Sequence, residues 1–288
     1  MKKRKTKNPD GNWSIVIKPK RGLFDFNLRE IVRYRELIFL FVKRDFTTEY
    51  KQTLFGPVWH IVSPVLTTIV YTFVFGQLAK IGTDGIPHTL FYFSGTMLWG
   101  YFTSNFNSAS HLFTDHAGLF GKVYFPRLII PIKNILSKLI RQLIQFTLFT
   151  GIYIFFIIQG HPLKPSWYMF FYPLILFWLA FAGVGAGIII SSLTTKYRDL
   201  FQIVGFALHL AMYATPVAYP LSEIPARFSW LAYANPVCAP IELFRLFFFG
   251  ASSVNMYMII SSLGITFFCL FFGLLLFNQN EKNFIDVI

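Results

Sequence analysis

The chain has 288 residues, of which 55% are hydrophobic and 19% aromatic but only 14% charged, against roughly a quarter charged in an ordinary soluble domain. That is too little charge to cover a water-soluble surface, so a soluble fold is excluded. The net charge of +13 would suit a nucleic-acid binder, but with a cytoplasmic N-terminus 22 of the 26 Lys and Arg lie inside, leaving only Lys80, Lys164, Arg227 and Arg245 outside. This is the asymmetry of the positive-inside rule: the charge reports topology, with both termini cytoplasmic, and no nucleic acid is expected as a partner.

Residues 1–27 form a basic arm in which Asn8, Pro9, Asp10, Gly11 and Asn12 give turn-like company. Anionic lipid headgroups would attract it, and no apolar run follows the first basic residues as a signal peptide would require. Over 28–52, Leu28, Ile31, Val32, Ile38, Phe41 and Val42 recur at helical spacing with Arg29, Arg33, Glu36, Lys43 and Arg44 between them. Asn27 and Glu30 make a capping box, and the pattern predicts an amphipathic helix lying in the cytoplasmic interface.

Residues 53–288 read as one all-α membrane domain with six transmembrane helices, since six stretches reach the roughly 17–25 apolar residues that a bilayer core of about 30 Å demands. They run Pro57–Leu78, Leu90–Phe113, Leu128–Ile158, Trp167–Leu193, Leu200–Ala218 and Met256–Phe277. Between the last two, Pro220, Pro225, Pro236 and Pro240 cut an apolar segment into pieces too short to cross. Such pieces suit short re-entrant helices lining an outer vestibule, or a loop packed on the bundle.

Chemistry in the membrane would need clustered ionisable groups. His60, His209 and Glu242 are the candidates near spans, far apart in sequence and without the spacing of a metal site such as HExxH. No metal or catalytic site is expected, and Cys238 and Cys269 form no CxxC pair. No acidic residue sits mid-span as a proton relay would, and no GxxxxGK[ST] loop exists, because Val123 follows Gly121 and Lys122 and position 116 is His. The chain binds no cofactor by this reading, and energy for transport comes from a separate protein.

Two helix faces are informative. Ser63, Thr67 and Tyr71 recur every four residues in the first span, and Gln202, Phe206, His209 and Tyr213 share one face of the fifth. Lipid would not select such faces: they line a conduit in which rings stack on sugars, or they pack helix on helix. Gly183, Gly185 and Gly187 permit close helix approach, and the connection from His116 to Arg127 places apolar residues beside basic ones.

With these residues in view, the chain resembles the permease subunits of ABC type-2 exporters for O-antigen, capsular polysaccharide and teichoic acid. The carriers are Arg44, Asp45, Phe46, Tyr50, Lys51, Gln52, Leu54, Gly56, Pro57, Trp59 and Pro64 around the first span; Lys122 to Arg127 and Pro131 before the third; Tyr197, Arg198, Asp199 and Leu200 before the fifth; and Thr215, Pro216, Val217, Tyr219, Pro220, Asn235 and Pro236 after it. The resemblance implies a homodimer in the bacterial inner membrane, bound to two ATPase subunits that carry ATP and magnesium. It implies export of a lipid-linked polysaccharide through an aromatic-lined channel between the copies, which gives Ser63, Thr67, Tyr71, Phe206, His209 and Tyr213 as the path. It also implies ATPase contacts at the coupling loop Asp115, Gly118, Phe120, Lys122 and Tyr124 and at Arg33, Arg44 and Asp45 of the interfacial helix, with an outer gate at Tyr219, Pro220, Asn235, Pro236 and Glu242. The long basic start departs from the pattern. The competing readings are a type-2 drug or lipid exporter and a membrane-embedded glycosyl- or acyltransferase; the aromatic content favours polysaccharide over drug.

Overall fold

The computed structural model describes residues 28–51, 56–115, 126, 128–194 and 199–287, and among these every regular element is helical. The chain enters through α1 (Leu28–Arg33) and α2 (Arg35–Tyr50), separated at Tyr34. Then come α3 (Trp59–Tyr71), continued as a π-helical stretch over Thr72–Leu78, and α4 (His88–Ser110) with the single turn α5 (Leu112–Asp115). The long helices α6 (Ile129–Ile158) and α7 (Tyr172–Thr194) and the shorter α8 (Leu200–Tyr213) follow. The chain ends through α9 (Ser229–Ala234), α10 (Cys238–Phe249) and α11 (Met256–Val287).

Among the described residues four segments are long and apolar enough to cross a membrane: Trp59–Leu78, Ile129–Ile158, Trp167–Thr194 and Met256–Gln279. The second and fifth of the six expected spans are not among them, for different reasons. Helix α4 has 23 residues, ample length at 1.5 Å per residue, but carries polar groups such as Ser94, Asn105 and Ser110, all buried. Protein surrounds it, so it has no need of an apolar coat. Helix α8 has 14 residues, about 21 Å, and stops at Tyr213 because Pro216 disfavours helical backbone at Thr215 before it.

Helix α7 is the hub, packing on α4 along one side and α11 along another. The expected glycine surface makes this possible. A Cβ added at Gly187 would stand 2.5 Å from the carbonyl oxygen of Phe106 and one at Gly185 2.6 Å from the nitrogen of Leu270, so neither site tolerates a side chain without moving a neighbouring backbone. Trp178 Nε1 donates to Thr266 Oγ1 at 3.1 Å across the α7–α11 contact.

The main core lies between α4, α6, α7 and α10 and is built of rings. Phe146 stacks on Tyr172 at 4.1 Å and Phe244 on Phe248 at 4.4 Å, with Phe149 edge-on to both Phe244 and Phe248. Tyr153 and Tyr172 hydroxyls are satisfied by Phe248 O and Gln142 Nε2, as buried phenols require. A second core joins Ile31, Ile38, Phe41 and Val42 to Leu112, Ile129, Ile130, Ile188 and Phe277, so this apolar face, expected to lie in the lipid of the interface, packs on the chain's own helices instead. Its other side leaves Val32, Phe39 and Leu40 exposed.

Helix α10 buries nine of its 12 residues and packs on α4, α7 and α11. Gly250 ends it in the left-handed region at φ 71°, its N–H donating to Leu246 O.

A candidate conduit along two poorly packed helices

The two helices meet at their C-terminal ends, where Tyr71 of the expected α3 face touches the core-facing side of α8 and not its expected face. Tyr71 of α3 donates its hydroxyl to Met212 Sδ of α8 at 3.6 Å and meets Phe75 edge-on at 5.2 Å. Below this point both helices are weakly held by the rest of the chain. No residue of α8 is fully buried; it leans on the main core through Val204, Leu208, Ala211 and Met212, while Phe206 is 66% and Tyr213 56% exposed and Gln202 and His209 are exposed beside them. On α3, Ser63 is exposed and Thr67 half-buried, Thr67 Oγ1 donating to the Ser63 carbonyl at 3.0 Å. Leu66, Ile69, Val70 and Phe73 are also exposed. The polar-aromatic residues therefore share their exposure with apolar ones: Ile203 is 60% exposed, and only Leu208 and its companions turn inward.

Where α8 ends, a cavity of about 770 Å³ opens between it and the loop after α3. Its walls include Tyr213, Tyr219 and Phe228 with Lys80 and Glu223. Three rings, one ammonium and one carboxylate can offer a sugar stacking faces and hydrogen bonds, and no acid pair or nucleophile faces them that would perform chemistry on it. No group of three or more His, Cys, Asp or Glu able to hold a metal occurs among the described residues.

The residues expected to form an outer gate act as ties. Tyr219 donates its hydroxyl to Tyr213 O at 2.7 Å, Asn235 Nδ2 to Thr215 Oγ1 at 2.7 Å, and Pro236 O accepts from Ser262 at 2.7 Å. Asn235 Oδ1 also accepts from Val237 N at the start of α10, and the carbonyl of the buried Pro220 accepts from Glu223 N. Glu242 lies inside the fold, 2% exposed, accepting from Arg245 at 2.7 Å and from Ser252 at 2.8 Å. Its partner Arg245 is 1% exposed, with Cζ 3.7 Å from the centroid of Phe91. Reading Arg245 as a charge on the outer side missed this pair; its spacing of three residues in an apolar helix was the available signal.

At the opposite end, Asp45 of α2 accepts from Lys133 of α6 at 2.5 Å and from Arg44 at 3.2 Å. Burial alone would raise the Asp45 carboxyl, but the two cations outweigh it and hold it below the ordinary carboxylate range. Glu49 and Arg141 form a second clamp of the same kind. Neither Lys133 nor Arg141 was singled out from sequence, although they stand eight residues apart on one face of α6. Arg33 and Asp115 are exposed, and Gly118, Phe120, Lys122 and Tyr124 lie outside the described residues.

Residues 36–249 match the family described as ABC-2 type transporter. The O-antigen export system permease protein RfbA of Klebsiella pneumoniae is 30% identical over 254 residues, covering 88% of this chain and 95% of that protein. A Myxococcus xanthus protein of the same name is 25% identical over 225 residues, covering 77% and 84%. A bundle with weakly packed α3 and α8, matched over most of its length, is a multi-pass membrane protein that belongs to the ABC-2 type transporter family.

Proposed function

We propose that the chain is the permease subunit of an ATP-driven exporter that passes a lipid-linked polysaccharide, of the O-antigen kind named for its relatives, across the bacterial cytoplasmic membrane. Two copies meet over α3 and α8, six helices of each cross the bilayer with α4 and α8 completing the set, and both termini stay in the cytoplasm. The observation that carries the reading is the exposed stripe of Ser63, Gln202, Phe206, His209 and Tyr213, which lipid cannot satisfy because exposed polar groups in hydrocarbon each cost several kcal/mol, on the order of 2–7. A second copy covers the apolar part, and a hydrated polymer occupies what remains. Rings suit a moving polymer because each sugar contact is weak, about 0.5–1.5 kcal/mol on the scale of aromatic pairs.

Energy comes from two partner ATPase chains that hold ATP and magnesium. They seat on the segment from Asp115 through Gly118, Phe120, Lys122 and Tyr124 and on α2 with Arg33, Arg44 and Asp45. The clamps from α2 to Lys133 and Arg141 then carry their motion into α6. The cavity at the end of α8 is the exit, with Tyr219, Pro220, Asn235, Pro236 and Glu242 fixing its wall.

The test is reconstitution of the permease with its ATPase partner in vesicles carrying the lipid-linked polymer on the ATP-accessible side. A rise in lectin-accessible polymer on the opposite side, dependent on both ATP and magnesium, is expected. Equal appearance without ATP, or none with it, overturns the proposal.

A further inference from the structure

Helix α8 is held differently at its two ends. At its C-terminal end Tyr213 O accepts from Tyr219, Thr215 just beyond accepts from Asn235, and Met212 meets Tyr71. Its packing on the main core starts at Val204 and runs through Leu208, Ala211 and Met212, so the first turn, Leu200 to Ile203, lies beyond that core. Among the described residues Phe201 of this turn joins neither core. Its ring partner is His111, whose imidazole stacks on it at 4.3 Å with 15° between the planes.

His111 is not a loose ring. It is the residue at which α4 stops, at φ −94° and ψ 11°, one position before Leu112 opens the turn α5. Its Nδ1 stands 3.0 Å from the Asn107 carbonyl, which can only accept, so Nδ1 carries the proton and the ring is fixed to α4. Leu112, 0% exposed, is seated in the second core with Ile38, Phe41 and Val42 of α2. The break between α4 and α5 is therefore held from the side of α2 through Leu112 and touches α8 through His111. Asp115 ends the same turn, where the segment proposed above to seat the ATPase begins.

This arrangement is a lever. From Phe201 to Tyr213 is about 18 Å of helix at 1.5 Å per residue. With the C-terminal end tied, a displacement of about 2 Å at Phe201, the size of helix shifts at interfaces, tilts α8 by about 6° and carries Phe206 sideways by about 1 Å. We infer that His111 and Phe201 are positioning residues for export: their stack sets the tilt of α8, and so the width of the path beside Phe206 and His209, from the position of the turn that follows α4. Neither ring has to touch the polymer. The inference rests on the conduit and the ATPase partner proposed above and names the contact that joins them.

The permease is reconstituted in vesicles with its ATPase partner and the lipid-linked polymer, carrying Phe201→Ala, His111→Ala or Phe201→Tyr. Three quantities are read: ATP hydrolysis, polymer exported per ATP, and the rate at which Ile203→Cys, exposed on the same turn, reacts with an impermeant thiol reagent with and without ATP and magnesium. In the parent chain ATP is expected to change that rate by about five-fold. Both alanine variants should hydrolyse ATP at the parent rate and melt within about 4 °C of it, yet lose the ATP-dependent change in labelling and export about ten-fold less polymer per ATP. Phe201→Tyr, which keeps the ring, should behave as the parent. A parent that hydrolyses ATP and moves no polymer defeats the proposed function, while the labelling rates still decide the lever. No ATP-dependent change in the parent, its persistence in the alanine variants, a loss of export matched by lost hydrolysis or lost stability, or a Phe201→Tyr variant as poor as Phe201→Ala overturns the inference.

Discussion

Replacing Glu242 by Gln removes one charge of the buried pair while keeping the side chain's shape. Losing one partner of such a pair costs about 3–5 kcal/mol because the other charge is left uncompensated, and here the other is Arg245, 1% exposed, with Nε and one Nη already without partners. Two contacts remain: the guanidinium over Phe91 at 3.7 Å, worth about 2 kcal/mol when desolvated, and a neutral hydrogen bond to the glutamine oxygen, worth about 1 kcal/mol. The first is present in both proteins and cancels; the second offsets part of the loss, leaving about 2–4 kcal/mol. In a chain of this size that lowers the thermal midpoint by about 5–10 °C, read by tryptophan fluorescence on the purified protein in detergent. The double variant Glu242→Leu with Arg245→Met, which removes both charges, is expected to recover most of it. A single variant melting with wild type, or a double variant worse than the single, would refute the reasoning that the pair is costly to break and cheap to replace.

Asp45 gives a pH test. Its folded pKa lies below the ordinary 3.8, so its contribution is complete above the unfolded value and is lost as pH falls through the folded one. Spin labels on α2 and α6 should keep one separation from pH 8 to about 4 and part only below; separation at pH 6 would contradict the clamp. Gly187→Ala places a methyl 2.5 Å from the Phe106 carbonyl and is expected to cost about 1–3 kcal/mol, while Gly100→Ala, with nothing within 4 Å, should be neutral; equal melting of the two would show that α7 is not held by close approach. The purified chain alone is expected to hydrolyse no ATP, and Phe120→Ala or Tyr124→Ala to weaken ATPase docking by about 2 kcal/mol each, measured by titration; unchanged affinity in both would remove that segment from the interface.

Periodicity made four spans and the helix of α2 legible but not what the apolar face of α2 meets, because the 3.6-residue repeat reads the same for lipid as for the core on which Ile38, Phe41 and Val42 pack. It could not separate α4 from a lipid-facing span: enclosure by α6, α7 and α10, not its own composition, decides what α4 may carry. The conduit face was half legible. Ser63, Thr67, Tyr71, Phe206, His209 and Tyr213 do lie on poorly packed helices, but Ile203 shares the exposure, and much of the aromatic content that favoured a sugar substrate is spent in the core on Phe91, Phe149 and Phe244. The clamps from α2 to Lys133 and Arg141 join residues 88 and 92 positions apart. Nothing local in a sequence marks such partners, and Lys133 reads there simply as a positive-inside charge.

The central claim is that α3 and α8 line a water-filled path for a polymer, and solvent access at single cysteines tests it most directly. Cysteines at Ser63, Phe206, His209 and Tyr213, all exposed, should react with a membrane-impermeant thiol reagent in vesicles holding the full transporter, while cysteines at Tyr71, Val204 and Leu208, which lean on the core, should not, and saturating polymer should slow the first set by about ten-fold. Equal reaction of both sets, or a first set that is inert and indifferent to polymer, would mean that the stripe packs helices together and that the path lies elsewhere.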